Sequence, residues 1–282
     1  MVRIITDGTS DISAQRAAEL NIDVIPMRVF FGEESFLDGI DITREEFFAR
    51  LTSSQELPTT SQLNPDDFLE LFQKYAGQGD QVVGIFLSTE LSGTCQSACI
   101  ACDMVEGGEI HVVDSHTVTF ALALLVEEAV RMRDRGLSAA EIAAAVEKLA
   151  QRTKLLAIVD TLTYLKKGGR ISATAAAVGG LLGIKPIVGV DGRQGTVEAM
   201  GKSRSIPSGL EWIARHIESA PAEPGRLVAY GHSNSPERVP GCMEALKGVL
   251  PQEQEPIMGS IGAVIGTHVG PGAVGVAYIA AE

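Results

Sequence analysis

Short apolar runs alternating with N-capped helical patterns fill the first 150 residues, and this alternation restricts the chain to a mainly parallel sheet covered on both faces by helices. Val2–Thr6 reads as a strand that ends in the polar turn Asp7-Gly8-Thr9-Ser10-Asp11 and feeds a helix over about 13–20. Val24–Phe31 reads as a second strand, followed by a turn or hairpin over 32–39. Thr43-x-x-Glu46 is a capping box, and Asn64-Pro65-Asp66-Asp67 combines an N-cap, a proline at the first helical position and acids in the first turn. These signals predict a helix after Thr43 and another from Pro65 to about Gly77. Val82–Leu87 and Ile110–Val113 are further strands; the second precedes Asp114-Ser115-His116-Thr117 and a long helix to about Arg135. Ser138-x-x-Glu141 caps the next helix. Ligands of such a sheet are expected at the carboxyl ends of its strands.

The pattern changes near Leu155. Leu155–Val159 reads as a strand, 161–167 as a short helix closed by Gly168-Gly169, and Ser172–Leu182 as an alanine-rich helix. Ile184–Val190 and Thr196–Met200 flank the hairpin connection D-G-R-Q-G. Helices near 208–218 and 236–248 flank a strand at Arg226–Tyr230, and the last strands lie on either side of a glycine-rich loop that carries His268. The expected fold is therefore α/β with two domains, 1–153 with a mainly parallel sheet and 154–282 as a layered α/β unit.

Charge narrows the partners. The chain has a net charge of -13, which argues against nucleic acid or an anionic membrane surface as the main partner. Residues 151–215 nevertheless hold ten Lys and Arg against four acids, so an anionic ligand is drawn to that segment. The weakly polar stretch 171–190 is interrupted by glycines and by Lys185-Pro186, so no stable membrane insertion is expected. Met1 leads directly into a strand without the pattern of a secretory signal, which points to the cytoplasm.

Several motifs fail on spacing or context. Cys95, Cys99 and Cys102 have the C-x3-C-x2-C spacing of an iron-sulfur site, but they fall on one stripe of a helical pattern and read as core. Gly201-Lys202-Ser203 lacks the glycine a phosphate loop needs and sits on a strand leaving a hairpin, so no internal ATP site is expected. Asp114-Ser115-His116 are consecutive, and consecutive residues do not face one another as a triad. The sequence contains no H-E-x-x-H or comparable ligand cluster, so a catalytic metal is not expected.

A more coherent constellation consists of three hydroxyl-rich loops ahead of helices: Thr9-Ser10, Thr59-Thr60-Ser61 and Ser92-Gly93-Thr94. Each by itself reads as an N-cap more than as a ligand site; together they suit a carboxylate or phosphate. Arg170, presented from a glycine turn, and Arg204 offer permanently charged guanidinium groups for such an anion. His268 lies among small residues in S-I-G-A-V-I-G-T-H-V-G-P-G-A-V-G, where backbone can approach a ligand closely.

The chain resembles the DegV family, through T-D-G-T-S-D from Thr6, P-T-T-S-Q from Pro58, L-S-G-T from Leu91, Y-L-K-K-G-G-R-I-S from Tyr164, G-L-L-G-I-K-P from Gly180 and G-T-H-V-G-P-G from Gly266. The resemblance implies a two-domain protein that sequesters one long-chain fatty acid and presents its carboxylate to a separate ATP-binding fatty acid kinase subunit, which makes the acyl phosphate. It implies no cofactor other than the bound acid and no independent catalytic residue. Thr60, Ser61, Ser92, Gly93 and His268 match the carboxylate site, while Arg170 and Arg204, with His268, match positions that support phosphoryl transfer. The sequence departs from the family at Gly8 and over His116–Phe120, where Phe120 stands to shorten or redirect the tunnel. Two other functions remain open on the residues alone: a stand-alone acyl hydrolase or transferase using His268, and a lipid-bound regulatory module without chemistry.

Overall fold

A computed structural model describes residues 1–171 and 183–282; the alanine-rich helix expected at Ser172–Leu182 lies outside the described residues. The first part of the chain forms β1 (Val2–Asp7), α1 (Ala14–Leu20), β2 (Asp23–Ile25), β3 (Arg28–Phe31), β4 (Glu34–Leu37), α2 (Arg44–Ser53), β5 (Thr59–Thr60) and α3 (Pro65–Gly77). It continues through β6 (Gln81–Phe86), α4 (Thr94–Asp103), β7 (Glu109–Asp114), α5 (Phe120–Asp134) and α6 (Ala139–Ala150). The second part forms β8 (Thr153–Ile158), α7 (Thr163–Lys167), β9 (Lys185–Asp191), β10 (Val197–Ser203), α8 (Ile206–Ser219) and β11 (Val228–Ser233). It ends with α9 (Val239–Leu246), β12 (Ile257–Ser260), α10 (Ala263–Val269) and β13 (Ala273–Ile279).

Among the described residues the strands form three sheets. One is parallel, in the order β2-β1-β6-β7. The second is mixed and six-stranded, in the order β10-β9-β8-β13-β11-β12, and the third is a small antiparallel β4-β3-β5 unit. Helices α3 and α4 pack on one side of the parallel sheet, while α5 and α6 also pack on it. Helix α5 contacts β1 and β6 and also β8, β11, β12 and β13, so it forms a layer common to the two large sheets. Its sequence explains this position: every residue from Phe120 to Val130 is buried, and a helix apolar around most of its circumference has to be covered on more than one side.

The two acids within that run carry their own partners. Glu127 accepts hydrogen bonds from Arg16 Nε and Nη2 at 3.0 and 2.6 Å. Glu128 accepts from Arg226 Nη1 at 3.1 Å and from the Leu227 backbone N–H at 3.2 Å. Buried carboxylates with such partners avoid the cost of an unpaired buried charge and fix the helix in register.

Two expectations are corrected. The run 24–31 is not one strand: Pro26, which has no N–H to give a ladder, separates β2 in the parallel sheet from β3 in the small one. The glycine-rich segment around His268 is not a loop but contains α10. Gly262 is its N-cap, and Gly270, with φ 72°, ends it by donating to the Gly266 carbonyl at 2.8 Å. Gly266 faces Phe47 and Phe48, where a Cβ would come within 2.6 Å of the Phe47 ring. A glycine in a helix costs about 1 kcal/mol, and here its bareness is what lets α10 approach α2.

The N-terminus of α10 is held by carboxylates from the first part of the chain. Asp11 accepts from the Gly262 N–H at 2.8 Å, and Asp38 accepts from the Val264 N–H at 2.9 Å. Burial pushes the Asp11 carboxyl up to about 7, against the opposing effect of the Thr119 hydroxyl; Asp38 adds to the rise, and Arg44 and the Gly262 N–H oppose it. The folded protein thus binds this proton more tightly than the unfolded chain. The stability it contributes is full below the ordinary carboxylate range and is lost as pH rises towards 7. Asparagine keeps the size and tolerates the positive φ of position 11. The melting temperature of the wild type relative to Asp11→Asn is expected to rise as pH falls from about 8 to about 5, as measured by thermal denaturation; a pH-independent difference contradicts this assignment.

Candidate functional site

A cavity of about 280 Å³ lies between the carboxyl end of the parallel sheet, the N-terminus of α5 and one face of the six-stranded sheet. Its apolar wall includes Leu87 after β6, Val118 before α5, Leu155 and Val190 from β8 and β9, and Ile261 and Val264 at the start of α10. Placement beyond the carboxyl end of β6 is where an open parallel sheet exposes a ligand crevice. The second sheet closes what would otherwise be an open cleft.

The polar residues gather where four segments meet. Thr60, Ser61, Ser92, Gly93, Arg170 and His268 all line the cavity. The Thr60 hydroxyl and His268 Nε2 are 3.0 Å apart. Ser92 and Thr94 hydroxyls are 3.0 Å apart, and Thr94 Oγ1 accepts from the Leu63 N–H at 3.3 Å, which fastens the 60–63 and 91–94 segments together. Arg170 crosses from the second part of the chain: its Nη1 donates to Gly168 O at 2.7 Å and its Nε to Leu91 O at 3.4 Å, while the residue remains exposed. Gly168 makes room for the imidazole, since a Cβ there would lie 2.3 Å from His268 Nδ1.

His268 is a neutral group in this setting. Burial pushes its pKa down to about 4, with a smaller contribution from the Arg170 charge. Nδ1 is enclosed and has no hydrogen-bond partner among the described residues. Leaving a lone pair unpaired costs less than burying an unpaired N–H, so the tautomer with hydrogen on Nε2 is favoured. In that tautomer the imidazole donates to Thr60 Oγ1, and the Thr60 hydroxyl hydrogen is free to point into the cavity.

Other sequence candidates fall elsewhere. Thr9 spends its hydroxyl and its N–H on the buried Asp7 carboxylate, which also accepts from the Leu87 N–H at 2.9 Å; this loop is structural and ties β1 to β6. Arg204 is exposed just beyond β10, an outer strand of its sheet, and does not line the cavity. Asp114 binds Thr89 and the His116 N–H, while the Ser115 hydroxyl donates to Thr117 O at 3.2 Å, so these three residues do not form a relay. Cys95, Cys99 and Cys102 lie on α4, where burial raises each thiol. Among the described residues no group of three or more potential ligands gathers to hold a metal, and no helix is long and apolar enough to cross a membrane. Gln62 and the strand glycine Gly231 also line the cavity and were not anticipated, and Gly275, the last residue of the glycine-rich segment around His268, lines it too. The available signal was glycine inside an apolar strand, which marks close approach of another group.

The model of the DegV family, described as an uncharacterised protein family, matches residues 1–281. The chain belongs to the DegV family. A DegV domain-containing protein of Caldanaerobacter subterraneus is 34% identical over 278 residues, covering 98% of each chain. A DegV family protein from Thermus thermophilus, whose structure is described under fatty acid binding, superposes with a TM-score of 0.89 at 30% identity, with 99% of each chain covered. A protein from Eubacterium ventriosum described as stearic acid-binding gives a TM-score of 0.89 at 28% identity, covering 99% of this chain and 98% of that one. The α/β architecture, with its parallel sheet and its mixed six-stranded sheet, is thus that of the DegV fold.

The depressed His268 pKa gives a direct check. Its imidazole resonance is expected to titrate with a midpoint near 4, while an unfolded control titrates near 6.5. The corresponding stability is present above the unfolded value and is lost as pH falls towards the folded one. A midpoint above 6, followed by proton NMR with His268→Gln to assign the signal, contradicts the neutral-donor description.

Proposed function

We propose that this DegV family protein binds one long-chain fatty acid and presents its carboxylate to a separate ATP-binding kinase, in the cytoplasm, using two domains at 1–153 and 154–282. The observation that carries this reading is an apolar cavity whose polar side chains cluster at the meeting of Thr60, Ser61, Ser92 and His268. The Thr119 hydroxyl, elsewhere on the wall, is already bonded to Asp11. A carboxylate fits the hydroxyl cluster and an alkyl chain fits the remainder, with each buried methylene worth about 0.8 kcal/mol. The relatives described as fatty acid-binding and stearic acid-binding support the ligand class.

In the transfer step a carboxylate oxygen forms a bond to the γ-phosphorus of ATP held by the partner, and the bond from that phosphorus to the bridging β-oxygen breaks, releasing ADP. Arg170, exposed at the hydroxyl end, supplies fixed positive charge to the phosphoryl group in flight. Arg204 acts on the partner-facing surface, since it is away from the cavity. A hydrolase using His268 as base receives less support. The imidazole contacts the Thr60 hydroxyl, but Nδ1 has no orienting carboxylate among the described residues.

Purified protein extracted with organic solvent is expected to release a long-chain fatty acid in near-stoichiometric amount by mass spectrometry; absence of bound acid together with no binding of added acid contradicts the reading. Thr60→Ala and Ser92→Ala are each expected to weaken binding by about ten-fold or more, the size of a lost hydrogen bond to a charged group. Arg170→Ala is expected to leave binding within a few-fold while reducing acyl phosphate formation by on the order of a hundred-fold. Equal losses in both assays would contradict the assigned role.

A further inference from the structure

The register of the six-stranded sheet places small residues in one continuous row across it. Val188 of β9 pairs with Ala157 of β8, Ala157 with Gly275 of β13, Gly275 with Gly231 of β11, and Gly231 with Gly259 of β12. Paired residues present their side chains to the same face of a sheet. This row is therefore a shallow trough running across the strands, three of its five positions having no side chain at all. Val188, Ala157, Gly275 and Gly231 line the cavity, whereas Gly259 does not. The open space follows the trough and stops between β11 and β12.

Phe120 is what stops it. A Cβ on Gly231 would lie 2.1 Å from Phe120 Cδ1, and a Cβ on Gly259 would lie 2.7 Å from Phe120 Cβ. The ring thus lies on the bare backbone of Gly231 and fills the trough from the β12 side. It is held there by the residue before it. Thr119 has φ 56° and ψ -141°, its N–H donates to Thr9 O at 2.8 Å, and its hydroxyl donates to Asp11. A β-branched residue at positive φ is strained, and such strain persists where surrounding contacts overdetermine the backbone.

We propose that Phe120 is the specificity-determining stop of the acyl channel, setting the longest straight chain the protein accepts. This rests on the fatty-acid reading above. Alanine at 120 keeps the Cβ over Gly259 but vacates the space above Gly231, which lengthens the channel by about one strand spacing, roughly 5 Å. Alanine at 231 does the opposite: its Cβ takes the ring's place and forces the ring further along the trough.

The test offers wild type, Phe120→Ala, Phe120→Leu and Gly231→Ala an equimolar mixture of straight-chain saturated fatty acids of graded length, then quantifies the protein-bound acids by mass spectrometry. The most abundant bound chain is expected to lengthen by several methylenes in Phe120→Ala, to lengthen less in Phe120→Leu, and to shorten in Gly231→Ala. Thermal denaturation of each variant with and without the longest acid provides a second readout, in which that acid raises the melting temperature of Phe120→Ala more than that of the wild type. The double variant Phe120→Ala/Gly231→Ala relieves the clash between the two positions and is expected to return towards the wild-type profile. Identical chain-length profiles in folded wild type and variants overturn the proposal while leaving fatty-acid binding intact. Failure of the wild type to take up any acid overturns both.

Discussion

Helix α5 is buried over its first three turns, and the rest of the architecture follows from the need to cover it. The parallel sheet covers one side through β1 and β6; the six-stranded sheet covers another through β8, β11, β12 and β13. A single apolar layer thus serves both sheets, and the largest core cluster runs through Val83 and Ile85, then Leu122 and Leu125, to Ala229 and Ala277. Glu127 and Glu128 prevent this helix from sliding or rotating, since each must keep its own arginine, Arg16 from α1 and Arg226 from the approach to β11. The cavity ends where this layer begins, at Phe120. The depth available to a ligand is set by the end of the same helix that holds the sheets together.

The hydroxyl end of the cavity depends on a second crossing of the chain. Helix α10 belongs by sequence to the second part, but it packs on α2, β3 and β5 of the first, and its N-terminal N–H groups are taken by Asp11 and Asp38. Its last turn delivers His268 to Thr60, a partner 208 residues earlier. Asp11 also receives the Thr119 hydroxyl, so one carboxyl group fixes both the start of α10 and the residue that aims Phe120. The two ends of the cavity are therefore not independent: a shift of Asp11 moves the histidine and the aromatic stop together. An occupant of the cavity touches the six-stranded sheet, Leu87 after β6, and α10, and by binding only the folded state it stabilises their association.

What the sequence disclosed was chiefly local chemistry. The capping boxes at Thr43–Glu46 and Ser138–Glu141 and the Asn64-Pro65 start appear as hydrogen-bonded helix N-termini, because such signals act within one turn. Thr60, Ser61, Ser92, Gly93, Arg170 and His268 line one cavity, and their common motifs made that grouping legible. Three features were not legible. The helix in 263–269 was hidden by its glycines, of which Gly266 is bare where it meets Phe47 and Phe48, a tertiary reason absent from local propensity. The split at Pro26 depended on which sheet each half would join. The trough formed by Ala157, Gly231 and Gly275 exists only through strand register, and a one-residue slip would turn those positions to the other face.

Under the proposed function, a site of this composition suits a carboxylate that has to react better than one that is merely stored. A lysine or arginine inside the apolar wall would have to be desolvated, and the ion pair that offset this cost would hold the carboxylate's electrons in a strong field. Hydroxyls and a neutral imidazole donate hydrogen bonds without a full opposing charge, so an oxygen they orient keeps more of its nucleophilic character. Burial keeps His268 uncharged across the physiological range, and its Nε2–H directs the Thr60 hydroxyl towards the cavity. The permanent charge sits instead on Arg170, exposed and tethered to the Leu91 and Gly168 carbonyls. On that proposal, the separation sets neutral donors around the nucleophile and leaves the positive charge of Arg170 for the phosphoryl group. Under the proposed function the same division leaves the triphosphate to the partner, while this chain organises the acid.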